Sequence, residues 1–335
     1  MGNALPISGL AGCYSVQVKV VGLLPFRNEA RNLPRVMLNL SIICDQILGY
    51  DSNSIDESAQ IFQSLGGQLV QIQNPKTYFE GGEHEIRTVL LEEARKFGAT
   101  HLIFLDCDEF FSEEFLLEAR NLMLEMSPGE KLALEWINLW GDEKHYCASG
   151  PWAPRYKDFI MCDDSLASYP YSMHHVSRSP NSAQILPWVQ IPRHLGVVIH
   201  TQFVDQVAFQ CKQVLCRMSE LVSSKKSPYN INQVYADTST LIGTTELIPS
   251  EWQCQLPVEI VGHSDWRVQE IKSLLALHGV EFFEKLDIWR LDFMQEFWFS
   301  SKRRSPRVAN KVTLLIFIKL IVYRVRVLIG YNFEK

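Results

Sequence analysis

HLIFLDCDE, residues 101–109, passes from an apolar run, Leu102 to Leu105, straight into Asp106, Asp108 and Glu109. An apolar run this short, with turn residues after it, predicts a buried strand. Acidic residues crowded at the end of a strand repel one another unless a cation compensates them. Hard divalent ions such as Mn²⁺ or Mg²⁺ take carboxylate oxygens and keep positions open for phosphate. The competing reading is helix capping, in which Glu109, Glu113 and Glu114 favour the positive end of a helix that starts after Ser112.

Upstream, strand and helix signals alternate. Val16 to Leu24 is β-branched and increasingly apolar, which predicts a buried strand. Leu33, Val36, Met37, Leu40 and Ile43 then fall at helical spacing, with Pro34 tolerable in a first turn. A strand at Gln46 to Tyr50 precedes a helix through Ile61, Phe62 and Leu65 that Gly66 should stop. Gln68 to Ile72 is a further strand, and Ile86, Val89, Leu90, Ala94 and Phe97 give an amphipathic helix closed by Gly98. Such alternation predicts an α/β fold, a mainly parallel sheet covered on both faces. Ligands of such sheets bind at the carboxyl ends of the strands, here after Leu24, Tyr50, Ile72 and Leu105.

Polar loops follow those strands. Phe26-Arg27-Asn28-Glu29 comes after the first, and Asp51-Ser52-Asn53-Ser54-Ile55-Asp56 after the second. A carboxylate at Asp51 can accept hydrogen bonds from a ribose or base, or simply shape a loop that Ser54 or Asp56 caps. Gly81-Gly82 leads into the helix that carries Arg87, an entry that suits a diphosphate or a plain turn.

In order and spacing the four loops resemble glycosyltransferase family 2 and its relatives with the GT-A fold. The shared pattern is a polar "NE" loop, "D-x-x-S-x-D", a Gly-containing loop with an Arg-bearing helix, and "DxD". Here these read FRNE at 26–29, DSNSID at 51–56, GGEHEIR at 81–87 and DCDE at 106–109. The match is close over about residues 16–111 and looser to about 205. Ser52 and Asn53 depart from the family's frequent D-D-G-S-x-D. The resemblance implies a metal-dependent, inverting transfer of sugar from a nucleotide sugar to a saccharide or lipid-linked saccharide. It implies nucleotide-sugar contacts from Phe26, Arg27, Asn28, Glu29, Asp51, Gly82, Arg87, Asp106 and Cys107. Asp106 and Asp108 would hold Mn²⁺ or Mg²⁺, and His200, after the strand Val197 to Ile199, would reach the metal or diphosphate. The acceptor-side base is expected at Asp164, or else at Asp158. Two rival functions remain: a sugar-phosphate nucleotidyltransferase, whose Gly-rich basic N-terminal loop is missing, and an inactive binding module at a membrane.

The remainder sets the expected organisation: an N-terminal tail at 1–15, a GT-A-like three-layer α/β/α domain at 16–205, and a helical region at 206–300. Residues 141–195, rich in Pro, Ser, Tyr and Trp, predict long loops around short strands, where acceptor recognition often lies. Between Phe297 and Phe333 there are eight cations and no acid, so the chain's net charge of −6 leaves −14 on the rest. An apolar run broken by Lys319, Arg324 and Arg326 predicts an interfacial helix rather than a span, at 301–335. The expected partner is then an anionic membrane surface, and no nucleic-acid partner is expected. Eight cysteines without a CxxC pair predict reduced thiols and a cytoplasmic protein, peripheral at the cytoplasmic face of a membrane.

Overall fold

The computed structural model describes residues 18–73, 82–171, 176–184, 186–235, 243–252 and 266–300. The N-terminal tail, Gly81 and the basic segment from 301 onward lie outside these residues.

Strand β1 (Val20–Phe26) occupies the middle of the sheet because its residues are almost all buried on both faces. Parallel to it run β2 (Gln46–Asp51) on one side and β4 (His101–Phe104) on the other. Beyond β2 lies the two-residue β3 (Gln68–Leu69), shorter than its apolar pattern predicts. Three helices connect them: α1 (Leu33–Ser41), α2 (Ser58–Ser64) and α3 (Glu83–Phe97). Gly98 ends α3 with φ 85°, and its N–H closes the last turn on Ala94 O and Arg95 O. Gly49 and Gly67 clasp the Phe62 ring, since a Cβ on either would come within 2.4 Å of it. That is how α2 packs against the sheet.

The sheet is parallel only as far as β4. Next comes β8 (Arg155–Cys162), antiparallel to β4, and then β6 (Lys131–Trp140), antiparallel to β8. Two reversals restore the direction. β10 (Val198–Phe203) runs parallel to β6, so it ends at the same edge as β1, β2 and β4. The short β5 (Glu109–Phe111) pairs antiparallel with β10, placing Glu109 opposite His200. β7 (His145–Cys147) and β9 (Val189–Gln190) flank β6. Helix α4 (Glu113–Leu124) joins α1 and α2 over one face, burying Phe111, Phe115 and Met123 with Leu33 and Met37. Opposite, α3 buries Leu90, Leu91 and Ala94 against Leu23 and Phe104. The result is three layers, α/β/α.

After β10 the chain forms α5 (Gln206–Ser223), α6 (Pro228–Val234), α7 (Trp266–His278) and α8 (Asp292–Ser300), with a core around Leu215, Ile271 and Trp289. This mostly helical region also returns β11 (Thr245–Leu247) to the sheet edge at β7. It docks on the β1 loop through Arg27–Glu270 at 2.6 Å and Arg267–Glu29 at 3.6 Å. No helix among the described residues is long and apolar enough to cross a membrane. Cys44, Cys107, Cys147, Cys162, Cys211 and Cys216 are free.

Candidate active site

Where β4 ends, Asp106 to Glu109 form a tight turn closed by Glu109 N–H donating to Asp106 O at 3.0 Å. The Glu109 carboxylate folds back and accepts from Asp106 N–H at 2.9 Å. Fully buried, it is matched by a two-pronged guanidinium: Arg178 Nη2 donates to its Oε1 at 2.7 Å, and Nη1 to its Oε2. Trp136 Nε1 adds a fourth bond at 2.7 Å. Arg178 also holds Phe104 O at 3.1 Å and Asp106 Oδ2 at 3.3 Å, and Arg87 Nη1 donates to Arg178 O at 3.4 Å. Burial would raise the Asp106 carboxyl, but Arg178 and Arg87 outweigh it and hold it below the usual range. These contacts correct one expectation: Glu109 is an internal anchor of the turn and not a cap of α4. Asp106 meets Arg178 through Oδ2 while its side chain stays half exposed.

Asp108 faces a different set of groups. His200 Nε2 lies 3.4 Å from its Oδ2, and Lys212 Nζ, reaching over from α5, lies at 3.8 Å. Burial opposes the charge on Asp108, yet His200 and Lys212 drive its carboxyl well below the usual range. The imidazole is buried, stacked on Trp136 with ring centroids 4.3 Å apart, and 2.8 Å through Nδ1 from Asn138 Oδ1. Asn138 Nδ2 donates to Trp152 O at 3.1 Å, which turns the amide oxygen toward the ring. Nδ1 is thus a donor, and Nε2 is the ring nitrogen that faces Asp108, the side of the imidazole that a metal-binding histidine would use.

The β1 and β2 loops are tied together by their own polar groups. Asn28, at φ 54°, donates its N–H to Ser54 Oγ at 2.8 Å, and its Oδ1 accepts from Ile55 N–H at 2.7 Å. Glu29 N–H donates to Ser58 Oγ at 2.7 Å, and Asp51 Oδ1 accepts Ser54 N–H at 2.8 Å. Two buried atoms here, Asn28 Nδ2 and Ser52 Oγ, have no hydrogen-bond partner among the described residues. The Glu29 side chain turns toward Asp108. Burial and the Asp108 charge push its carboxyl up to about 7, against Arg267 and Asn32. A cavity of about 420 Å³ opens between this loop, Asp108, the end of β10 and helices α5 and α7. Asn28, Glu29, Asp108, Lys212 and Arg267 line it, and its size is that of a ligand pocket.

Several candidates are core residues or are held by other partners. Phe26 is a core residue, its ring 5.1 Å from Phe62, and the buried Cys107 thiol is pushed well up by burial. Arg27 is spent on Glu270 and the Trp266 ring. Gly82 opens α3, but the buried Glu83 beside it accepts from Val176 N–H and Arg87 Nε, so a carboxylate already serves that helix end. Asp158 sits within β8, bonded by Ser179 Oγ and 3.5 Å from Lys131 Nζ. Asp164 follows Cys162, which pairs with His101 at the start of β4. That puts it at the far edge of the sheet, roughly 17 Å along the strand from Asp106. Its oxygens accept from Leu166 N–H, Ala167 N–H, Ser182 Oγ and Ala183 N–H. Both carboxylates are thus occupied by local partners. Conversely, sequence reasoning missed Arg178, Lys212 and Arg267. Arg178 stands alone in a Pro/Ser loop, and the other two fall within helical periodicity as ordinary surface cations.

Among the described residues no three His, Cys, Asp or Glu side chains gather as a metal cluster. The pair Asp108–His200 suits a cation that takes its other ligands from elsewhere.

No family profile and no curated protein matches the chain. Solved structures do. TarS from S. aureus in complex with UDP is 14% identical, with 66% of this chain covering 70% of that one at a TM-score of 0.30. Mannosyl-3-phosphoglycerate synthase from Rubrobacter xylanophilus is 20% identical, with 37% of this chain covering 41% of that one at a TM-score of 0.28. A mycobacterial protein is 16% identical, again with 37% of this chain covering 41% of the other, at 0.26. This chain therefore spans about two fifths of the length of the last two. TM-scores of 0.30 or less carry no argument about activity. The α/β class rests on the strand order and the two helical layers of this chain itself.

Proposed function

We propose that the protein is a GT-A-type glycosyltransferase that moves a sugar from a nucleotide sugar to the hydroxyl of a saccharide or lipid-linked saccharide, using Mn²⁺ or Mg²⁺ at Asp108 and His200. One observation carries this reading: Asp108, on a turn locked by Glu109 and Arg178, meets the Nε2 of an Asn138-oriented histidine at the mouth of a cavity. The unpartnered Asn28 Nδ2 and Ser52 Oγ support nucleotide binding at the adjoining loops. So does the placement of Asp51, opposite Phe26 at the ends of β2 and β1.

In such a transfer, charge builds on the departing diphosphate, and the bound cation neutralises it. Lys212 and Arg267 add fixed positive charge to the cavity wall. Glu29, protonated over much of the range below neutrality, removes one negative charge from the path of the diphosphate and can donate a hydrogen bond to it. Arg178 and Glu109 keep the turn from moving as charge develops, which is the value of a preorganised site. Residues 16–205 would then hold donor and metal, and the mostly helical 206–300 would close over them through α5 and α7.

Asp108→Asn tests the reading directly. Calorimetric titration with UDP, GDP, dTDP and CMP, with and without Mn²⁺, should show one nucleotide whose affinity rises with metal in the wild type. The variant should lose at least about tenfold in that affinity, or ~1.4 kcal/mol, with an unchanged melting temperature. Metal-independent binding that survives the substitution would refute it.

A further inference from the structure

Strand β8 begins with two cations, Arg155 exposed and Lys157 half-buried. Arg155 and Lys157 are two apart and lie opposite Trp136 and Leu134 of β6, so both side chains share one face of the sheet. Lys157 Nζ sits 3.1 Å from the centroid of the Trp136 ring, and the Arg155 guanidinium lies 5.4 Å from it and 6.0 Å from Trp152. Neither has a carboxylate or hydrogen-bond partner among the described residues. The nearest acids are committed: Glu109 to Arg178 and Trp136, Asp158 to Ser179 and Lys131, Glu135 to Arg193 at 2.5 Å. Burial, then Arg178, lowers the Lys157 ammonium to about 8. Two cations on one face repel each other, and here ring faces rather than carboxylates answer them. An arriving anion would gain the most there.

Position gives that anion a role. β6 has β8 on one side and β10 on the other, so the Trp136 indole stands between Lys157 and its stacking partner His200. One ring separates the cation pair from the His200–Asp108 pair. Resting on the glycosyltransferase reading, we infer that Arg155 and Lys157 form an oxyanion subsite for the acceptor, which therefore bears a phosphate or carboxylate group close to the hydroxyl that receives the sugar. The buried indole spaces the cation pair from His200, with a guanidinium fork and an ammonium point charge dividing the recognition.

The test uses the full chain in metal-free buffer, titrated with inorganic phosphate and, separately, acetate, following amide shifts by NMR. At least one anion should perturb the wild type saturably, and whichever binds identifies phosphate or carboxylate as the group. The R155Q/K157Q double variant should weaken that binding at least about tenfold, and K157R should restore most of it. Metal-dependent nucleotide affinity should be unchanged in the double variant, so loss of the anion site and failure of the glycosyltransferase reading are read separately. Two results overturn the subsite: no saturable anion binding in the wild type, or binding that disappears in K212Q but survives in R155Q/K157Q. Nucleotide affinity that falls with R155Q/K157Q would also overturn it, by moving the cations into the donor site.

Discussion

Asp106 and Asp108 lie at one edge of the sheet and Asp163 and Asp164 at the other, separated by the length of β4. Each pair follows an apolar strand, and by composition they are alike. Their surroundings are not. Asp163 is held by Arg95 through two bonds of 2.7 Å, and Asp164 has its lone pairs filled by backbone and Ser182. Asp108 instead meets an imidazole and an ammonium at 3.4 and 3.8 Å, beside a carboxyl that burial has partly neutralised. The amino edge consumes its charge in local bonds. The carboxyl edge anchors one carboxylate, Glu109, so that another stays available.

If that contrast is right, the anchor is where stability is most at stake. Arg178→Met leaves the fully buried Glu109 without its guanidinium, and breaking a buried pair from one side costs about 3–5 kcal/mol. Denaturant melts should show the loss. In a cycle with Glu109→Gln, the double variant should be much less destabilised than the two losses added together. Additive losses would mean the pair does not act as a unit.

Much of this was legible in advance, and the limit has a physical origin. The parallel half announced itself because strands buried on both faces are apolar throughout, and α1, α2 and α3 follow a helical period. DCDE stands out in the sequence as acids crowded after an apolar strand, and the structure folds it into the turn that Glu109 and Arg178 lock. β8 is hidden in what reads as loop because Arg155, Lys157 and Asp158 break the apolar strand pattern. Arg178 could not be found from sequence. Its role exists only once a loop some seventy residues from the turn folds back on it. Asp164 was favoured for its stretch of sequence alone, and the reversal of β8 carried it to the wrong edge.

The cavity offers a smaller effect, read through pH. The Glu29 carboxyl rises from an ordinary 4.5 to about 7, so the folded state binds its proton more tightly than the unfolded chain. The associated stability is present below about pH 4.5 and is lost as the pH rises through about 7. A shift of this size corresponds to about 3 kcal/mol at most. Glu29→Gln should therefore flatten the fall in melting temperature between pH 5 and 8 and leave the variant more stable than wild type at pH 8. An unchanged profile would show that Arg267 already holds Glu29 ionised, and the cavity would then carry one more negative charge.

The smallest effect should come from the amino edge. In Asp164→Asn an amide nitrogen replaces one oxygen and faces donors it cannot accept from, either Leu166 and Ala167 or Ser182 and Ala183. One or two bonds are lost, for about 1–2 kcal/mol. The sign of the pH dependence is opposite to that of Glu29. Burial works against the Asp164 charge, but Ser182 and the surrounding backbone N–H groups hold its carboxyl below the ordinary value. Its contribution is therefore present at neutral pH and lost as the pH falls through the acid range, and the variant should lack that acid-side loss. Metal-dependent nucleotide affinity should stay at the wild-type value, because the residue lies a strand's length from Asp108. A variant that melts like wild type yet transfers no sugar would break the comparison, since an acid spent on local bonds would then be serving the reaction.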